Sequence, residues 1–371
     1  MSSMIGNRLK LTIFGESHGR AVGAVIDGLP PGIYLDLDYI KYEMGRRKPG
    51  ESSFSTSRSE DDDFQIISGY FEKKTTGAPL CALISNKDQH SEDYANIKNL
   101  LRPGHADYTG FIKYAGYNDY RGGGHFSGRL TAPLVFAGAV AKQILEKLDI
   151  FIGGHIKSIK DISEEGFNKI KVSRYDILRL RAKDFPVINE SIGKKMKECI
   201  LKAKDERDSV GGVIETAVIN LDAGLGEPFF DSVESRLAHI LFSIPAVKGV
   251  EFGEGFSITA MKGSEANDGY TVIDGKIETY TNHNGGILGG ITTGMPLIFQ
   301  VAVKPTPSIG RQQKTVDIKK LEEVEICVKG RHDPCIVPRV VPVVEAATAL
   351  TILDFMLDRE GEQGFRDKLR M

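Results

Sequence analysis

The stretch RLKLTIFGESHGRAVGAVID, residues 8–27, carries the reading of the fold. Residues 8–14 alternate in polarity and read as a strand, and a second strand follows at 21–27. Only the loop Gly15-Glu16-Ser17-His18-Gly19 separates them. Strand-like runs at 64–72 and 79–85 repeat the arrangement around the turn Thr75-Thr76-Gly77, and further strand signals lie at 150–157, 211–220 and 296–303. Helical patterns interrupt this series irregularly: a short helix capped by Asp36 or Asp38 and ending near Arg46, then 107–117, 131–148, 189–204, 232–242 and 342–357. Strands so often follow strands that the pattern argues for α+β layers with antiparallel pairing, not a doubly wound parallel sheet. The segment TAPLVFAGAVAKQILEKL (131–148) has a wide apolar face rich in small residues, which places it in the core against another element.

With 371 residues the chain can bury a large core, and no low-complexity linker or fixed repeat divides it, so one domain spanning 1–371 is expected. A net charge of −2 gives no electrostatic signal for nucleic acid. No basic-then-apolar leader and no run of 18 apolar residues is present, so a soluble, cytoplasmic protein without membrane partners is expected. Cys81, Cys199, Cys327 and Cys335 lie far apart and read as buried thiols of a reducing compartment, and no spaced His/Cys/carboxylate set suggests a metal. The run Glu60-Asp61-Asp62-Asp63 reads as a solvated turn.

Chemistry concentrates between Arg102 and Arg129, RPGHADYTGFIKYAGYNDYRGGGHFSGR. Guanidinium groups, imidazoles and flexible backbone brought together suit a phosphorylated ligand. In Arg102-Pro103-Gly104-His105-Ala106-Asp107 a rigid loop would present Arg102 and His105, with Asp107 capping the helix that follows. Arg121-Gly122-Gly123-Gly124 leads through Ser127 to Arg129 at the start of the small-residue helix, where backbone N–H groups can bind an anion, although both nucleotide-binding glycine fingerprints fail. Gly15-Glu16-Ser17-His18-Gly19 has the G-x-S-x-G spacing of a hydrolase nucleophile elbow, but a strand follows it where that motif needs a helix; His18 reads better as a proton donor. Arg46, Arg47, Lys48, Arg102, Arg121, Arg129, Arg331 and Arg339 all stand beside Gly or Pro in expected loops, which points to a polyanionic ligand, and Asp333 is the carboxylate in a basic, glycine-flanked motif.

These motifs together resemble the chorismate synthase family. FGESHG (14–19), DGLPPG (27–32), RRKPG (46–50), RPGHADYT (102–109), YRGGG–S–R (120–129), AGLGEP (223–228), VKGVEFG (247–253), GGILGG (285–290), KPTPSIG (304–310) and GRHDPC (330–335) stand in that family's order across nearly the whole chain. The resemblance implies a layered β-α-α-β sandwich, with helices between two largely antiparallel sheets, assembled as a homotetramer. It implies a lyase that converts 5-enolpyruvylshikimate 3-phosphate to chorismate and phosphate, an anti-1,4-elimination that requires reduced FMN without net redox change. NADPH is then a candidate reductant of the flavin, directly or through an external flavin reductase.

By the same resemblance, His18 protonates the leaving phosphate, His105 protonates or polarises the reduced flavin, and Asp333 works with the flavin in removing the C6 proton. Ser17 and Ser127 match serines of a proton relay or flavin contact. Arg47, Arg102, Arg129 and Arg339 match substrate clamps, with Arg46 and Arg121 beside them. Flavin contacts fall on His125, Phe126, Ser127, Pro245, Ala246, Gly289, Lys304, Pro305, Thr306, Pro307, Ser308 and Arg331. The chain departs from many members at His125-Phe126-Ser127-Gly128-Arg129, where they read RSSAR, and at Pro245-Ala246, where they read NA. Ser53 stands where some carry a further arginine, which weakens the case for a built-in NADPH site. Two other readings remain open at this stage: an FMN-dependent oxidoreductase with net NADPH turnover, and a flavin- or phosphometabolite-binding protein without chemistry.

Overall fold

The computed structural model describes residues 3–48, 62–87, 98–328 and 332–369. Arg331, Ser53, His90 and the Pro49-Gly50 stop lie outside those residues. Residues 8–27 form the expected antiparallel pair: β2 (Lys10–Gly15) runs against β3 (Ala21–Asp27), with Lys10 opposite Asp27 and Gly15 opposite Val22. Together with β1 (Met4–Ile5), β4 (Phe64–Ser68) and β5 (Leu80–Ser85) they make a sheet in the order β1-β2-β3-β5-β4. A second five-stranded sheet holds β6 (Phe151–Ile159), β7 (Ile162–Ser163), β8 (Gly212–Ile219), β9 (Val247–Phe252) and β10 (Leu297–Val303) in the order β9-β10-β8-β6-β7. Every pairing in both sheets is antiparallel.

Of the helices α1 (Leu37–Arg47), α2 (Asp107–Lys113), α3 (Thr131–Glu146), α4 (Arg174–Arg181), α5 (Glu190–Asp205), α6 (Val233–Ser243) and α7 (Val337–Lys368), two fill the space between the sheets. α3 packs on the first sheet, α7 on the second, and the two pack on each other, which is the expected β-α-α-β layering. Their crossing is close because Gly138 of α3 lies on Ala346 of α7; a Cβ there would fall inside the Ala346 side chain. α7 extends well beyond the expected 342–357 and kinks at Gly361, whose φ is 64°. By length and composition it could cross a bilayer, but its apolar stretch is entirely buried inside the fold.

A charge cluster sits between the layers. Glu345 of α7 accepts from Arg46 Nη1 at 2.5 Å and Nη2 at 2.9 Å, from Lys142 Nζ at 2.7 Å and from the Gly154 N–H at 3.0 Å. Glu43 takes Arg46 at 2.8 Å and Lys142 at 2.7 Å. Burial alone would raise the carboxyl pKa values, but the surrounding Arg46 and Lys142 cations hold both Glu345 and Glu43 below the usual range.

Candidate active site

Both central helices begin at one end of the sandwich, and the loops gathered there carry most of the candidate residues. The turn after β2 presents Ser17 and His18 to the triple-glycine segment: Ser17 N–H donates to the Gly124 carbonyl at 3.1 Å and Ser17 Oγ to that of Arg121 at 3.3 Å. Gly122 has φ 62° and lies against the His18 ring, so a side chain there would meet the imidazole. Asn86, at the end of β5, donates to the carbonyls of Glu16 (3.0 Å) and Gly19 (2.9 Å) and thereby fixes the same turn. His125 does so from the other side, donating from Nδ1 to the Gly15 carbonyl at 2.8 Å.

From Asn86 the hydrogen bonds continue. Arg129 Nε donates to Asn86 Oδ1 at 2.9 Å, Nη2 to the Ser85 carbonyl at 3.2 Å, and Nη1 to Asp62. The other oxygen of Asp62 takes Arg47 Nη2. Arg339 Nε then donates to the Arg47 carbonyl at 3.1 Å, and its Nη1 to Asp333 at 2.6 Å. The backbone N–H of Arg129 donates to Ser127 Oγ at 3.3 Å. An unbroken chain of polar contacts thus joins the loop of His18 to Asp333, through residues from five separate stretches. Asp62 stands in its middle, only 4 % exposed. The acidic run is therefore not a solvated turn at this position. Two guanidinium groups hold the Asp62 carboxyl below its ordinary pKa against the upward push of burial.

A second set forms around His105. Its Nε2 is hydrogen-bonded to Ser308 Oγ at 2.7 Å, and Lys304 Nζ donates to the Gly104 carbonyl at 2.7 Å. Gly104 lets Pro307 approach; a Cβ there would lie 2.9 Å from the proline ring. Ser209 Oγ donates to the Thr306 carbonyl at 2.6 Å, and Val210 N–H to that of Pro334 at 2.9 Å, so the 208–210 loop ties the Lys304–Ser308 segment to the strand of chain that holds Asp333. Burial pushes His105 down to about 4, helped by the cations Arg102 and Lys304 and by His332, so the imidazole is neutral near pH 7.

Several expectations need correction. Arg46 is not turned toward this site: its guanidinium is engaged by Glu43 and Glu345 in the core cluster. Arg46 and Arg47 also belong to α1, not to a loop. Asp107 does not cap α2. It lies in the first turn and takes Arg102 Nε at 2.8 Å and Nη2 at 2.7 Å, so the buried Arg102 is held by its own loop. Arg121 is likewise paired, with Asp119 at 2.7 Å. Two short 3-10 turns precede α3, and no side chain caps its first residue. Among the flavin candidates, Phe126 packs beside Tyr114, and Ala246 accepts from Lys304 N–H at 2.9 Å, which puts Pro245-Ala246 next to the His105 set. Gly289 sits in a hairpin whose backbone bonds run to Leu225 and Val233, and no hydrogen bond among the described residues joins it to either set. Of the cysteines, Cys335 is buried but Cys327 is exposed.

A family model for chorismate synthase matches residues 9–357. The chain belongs to the chorismate synthase family. Among curated chorismate synthases, that of Thermococcus gammatolerans is 48% identical over 362 residues, covering 97% of this chain and 99% of its own. That of Methanocaldococcus jannaschii is 48% identical over 364 residues, covering 95% of each. A crystal structure of a chorismate synthase superposes with a TM-score of 0.78 at 28% identity, covering 99% of this chain and 96% of that one. This chorismate synthase family member is accordingly a lyase of the pathway to aromatic amino acids. The roles of Asn86 and Asp62 were not legible in the sequence, because each stands in an ordinary polar stretch beside a strand, Asp62 within the acidic run 60–63, and their partners lie far away in the chain.

Proposed function

We propose that the chain eliminates phosphate and the C6 proton from 5-enolpyruvylshikimate 3-phosphate in the anti-1,4 sense to give chorismate, with reduced FMN bound and no net redox change. The observation that carries this reading is the continuous chain of contacts from the His18 loop through Asn86, Arg129, Asp62, Arg47 and Arg339 to Asp333. An acid and a base are built into one basic frame, as an elimination needs. His18 donates the proton to the departing phosphate, and Asp333 accepts the proton lost from carbon, its carboxylate oriented by Arg339. Arg47, Arg129, Arg102 and Arg339 hold the anionic groups of the substrate. Arg47 Nε supports that role: it is a buried donor with no partner among the described residues, the kind of atom a substrate oxygen satisfies. Ser17 and Ser127 pass or steady protons beside His18.

The residues around His105 fit a flavin. Thr306 Oγ1 is buried without a hydrogen-bond partner among the described residues, in the segment Lys304–Ser308 that the resemblance assigns to the cofactor. Lys304, Thr306, Ser308 and His105 supply the cation, hydroxyls and neutral imidazole that heteroatoms and a phosphate require. When bound, reduced FMN would supply electron density to the elimination. The chain's own part is to position it, with His105 presenting a neutral ring nitrogen, and to keep water out. NADPH, or a separate reductase, would keep the flavin reduced.

We also infer one cytoplasmic domain that assembles as a homotetramer. The hairpin Tyr270–Ile273/Lys276–Thr279 supports assembly, since Tyr270, Val272 and Ile277 stand exposed on it. Asp333→Asn tests the mechanism: flavin binding stays near normal while turnover slows strongly. A wild-type rate in that variant removes Asp333 as the base.

A further inference from the structure

We propose that Asp62, which belongs to none of the motifs above, is a positioning residue that locks Arg47 and Arg129 in mutual register and so sets where the substrate lies between His18 and Asp333. The proposal rests on reading those two arginines as substrate clamps.

The geometry is that of a shared pin. One carboxylate oxygen takes Arg129 Nη1 and the other takes Arg47 Nη2, so each cation has its own acceptor. The two arms come from unrelated elements, the last turn of α1 and the 3-10 turn before α3. Nothing in the local chain fixes their separation. Both guanidinium groups are almost fully buried, at 4% and 6% side-chain exposure. Two cations converging in such a place repel unless an anion lies between them. Asp62 itself sits in the left-handed region, φ 51°, a conformation that Asp tolerates better than most side chains. It lies two residues before β4, so it is anchored to the first sheet.

Each arm also carries a catalytic group with it. Arg129 holds Asn86, which fixes the His18 turn, and the Arg47 carbonyl holds Arg339, which holds Asp333. Displacing Asp62 would therefore shift both ends of the site. If the buried ion triad served stability alone, breaking it would lower the melting temperature and leave the kinetics of the folded protein unchanged. Positioning moves KM.

The test is steady-state kinetics with 5-enolpyruvylshikimate 3-phosphate and reduced FMN under anaerobic conditions, on wild type, Asp62→Asn, Asp62→Ala, Arg47→Ala and Arg129→Ala. Asp62→Asn keeps the shape of the side chain, so KM is read on folded protein, with near-ultraviolet circular dichroism as the check. The expected result is a KM raised on the order of tenfold to a hundredfold, with a smaller change in kcat. Formate added to Asp62→Ala restores part of kcat/KM by placing a carboxylate between the arginines, and leaves wild type unchanged. A wild-type KM in Asp62→Asn, or an Asp62→Ala defect untouched by formate, overturns the proposal. If both arginine variants raise KM while Asp62→Asn does not, the clamp reading stands and the proposal alone falls. If both arginine variants keep a wild-type KM, the clamp reading falls and takes the proposal with it.

Discussion

Glu345→Gln removes one negative charge from the centre of the sandwich and nothing else of comparable size. Glu345 is fully buried and accepts four hydrogen bonds, three of them from Arg46 and Lys142. Without the carboxylate, those cations share Glu43 alone, with Arg181 also close to it. Breaking a buried ion pair by deleting one partner costs about 3–5 kcal/mol. At about 2.1 cal/mol/K per residue, a chain of 371 residues unfolds with an entropy of about 0.8 kcal/mol/K, so a loss of about 4 kcal/mol lowers Tm by about 5 °C. Scanning calorimetry at pH 7 measures it. Because the Glu345 carboxyl is held below the ordinary glutamate value of 4.5, its contribution is full above that pH and is lost as pH falls through the lower folded value. The gap between wild type and variant therefore narrows in acid. Replacing Lys142 and Glu345 together by Met should recover much of the loss, since no buried charge is then stranded by the other. A Glu345→Gln protein melting within about 1 °C of wild type at pH 7 would refute the reasoning.

Three further outcomes are expected. His105, pushed down to about 4 by burial and nearby cations, should show that value by NMR titration in the ligand-free protein; an unfolded His titrates near 6.5, so this group makes stability rise with pH between those two values, and His105→Gln should flatten that slope. Gly138→Leu should overpack the α3–α7 crossing against Ala346, cost about 3 kcal/mol and lower Tm by about 4 °C, as a calorimetric scan would show. A thiol reagent should label the exposed Cys327 quickly and spare Cys335, whose thiol burial pushes up to about 12, with peptide mapping as the readout.

The fold was legible where local pattern and tertiary role agree. Residues 8–27, the small-residue helix and the 211–220 and 296–303 strands emerged close to their expected bounds because period and burial coincide there. Helix α4 was not foreseen: Arg174–Arg181 alternates charge with leucine and is short, yet Ser173 and Asp176 form a capping box that was available as a signal. Strand β9 and the hairpin Gln313–Asp317/Glu322–Ile326 were also missed, being short and half polar. The arginines were harder to judge. Arg46 and Arg47 are neighbours on one helix turn, about 100° apart, and that angle sends one to the core and the other to Asp62. A count of cations beside glycines carries no information about such angles. It is equally silent on the carboxylates Glu345, Asp62, Asp107, Asp119 and Asp333 that the fold brings to meet them.

The most direct measurement supplies purified protein with 5-enolpyruvylshikimate 3-phosphate and a fixed charge of reduced FMN in the absence of oxygen, and follows chorismate, phosphate and flavin together. The account predicts chorismate and phosphate in equal amounts over many turnovers per flavin, with no consumption of reductant. Flavin bound by folded protein without release of phosphate, or product formed only in step with NADPH oxidation, would contradict it.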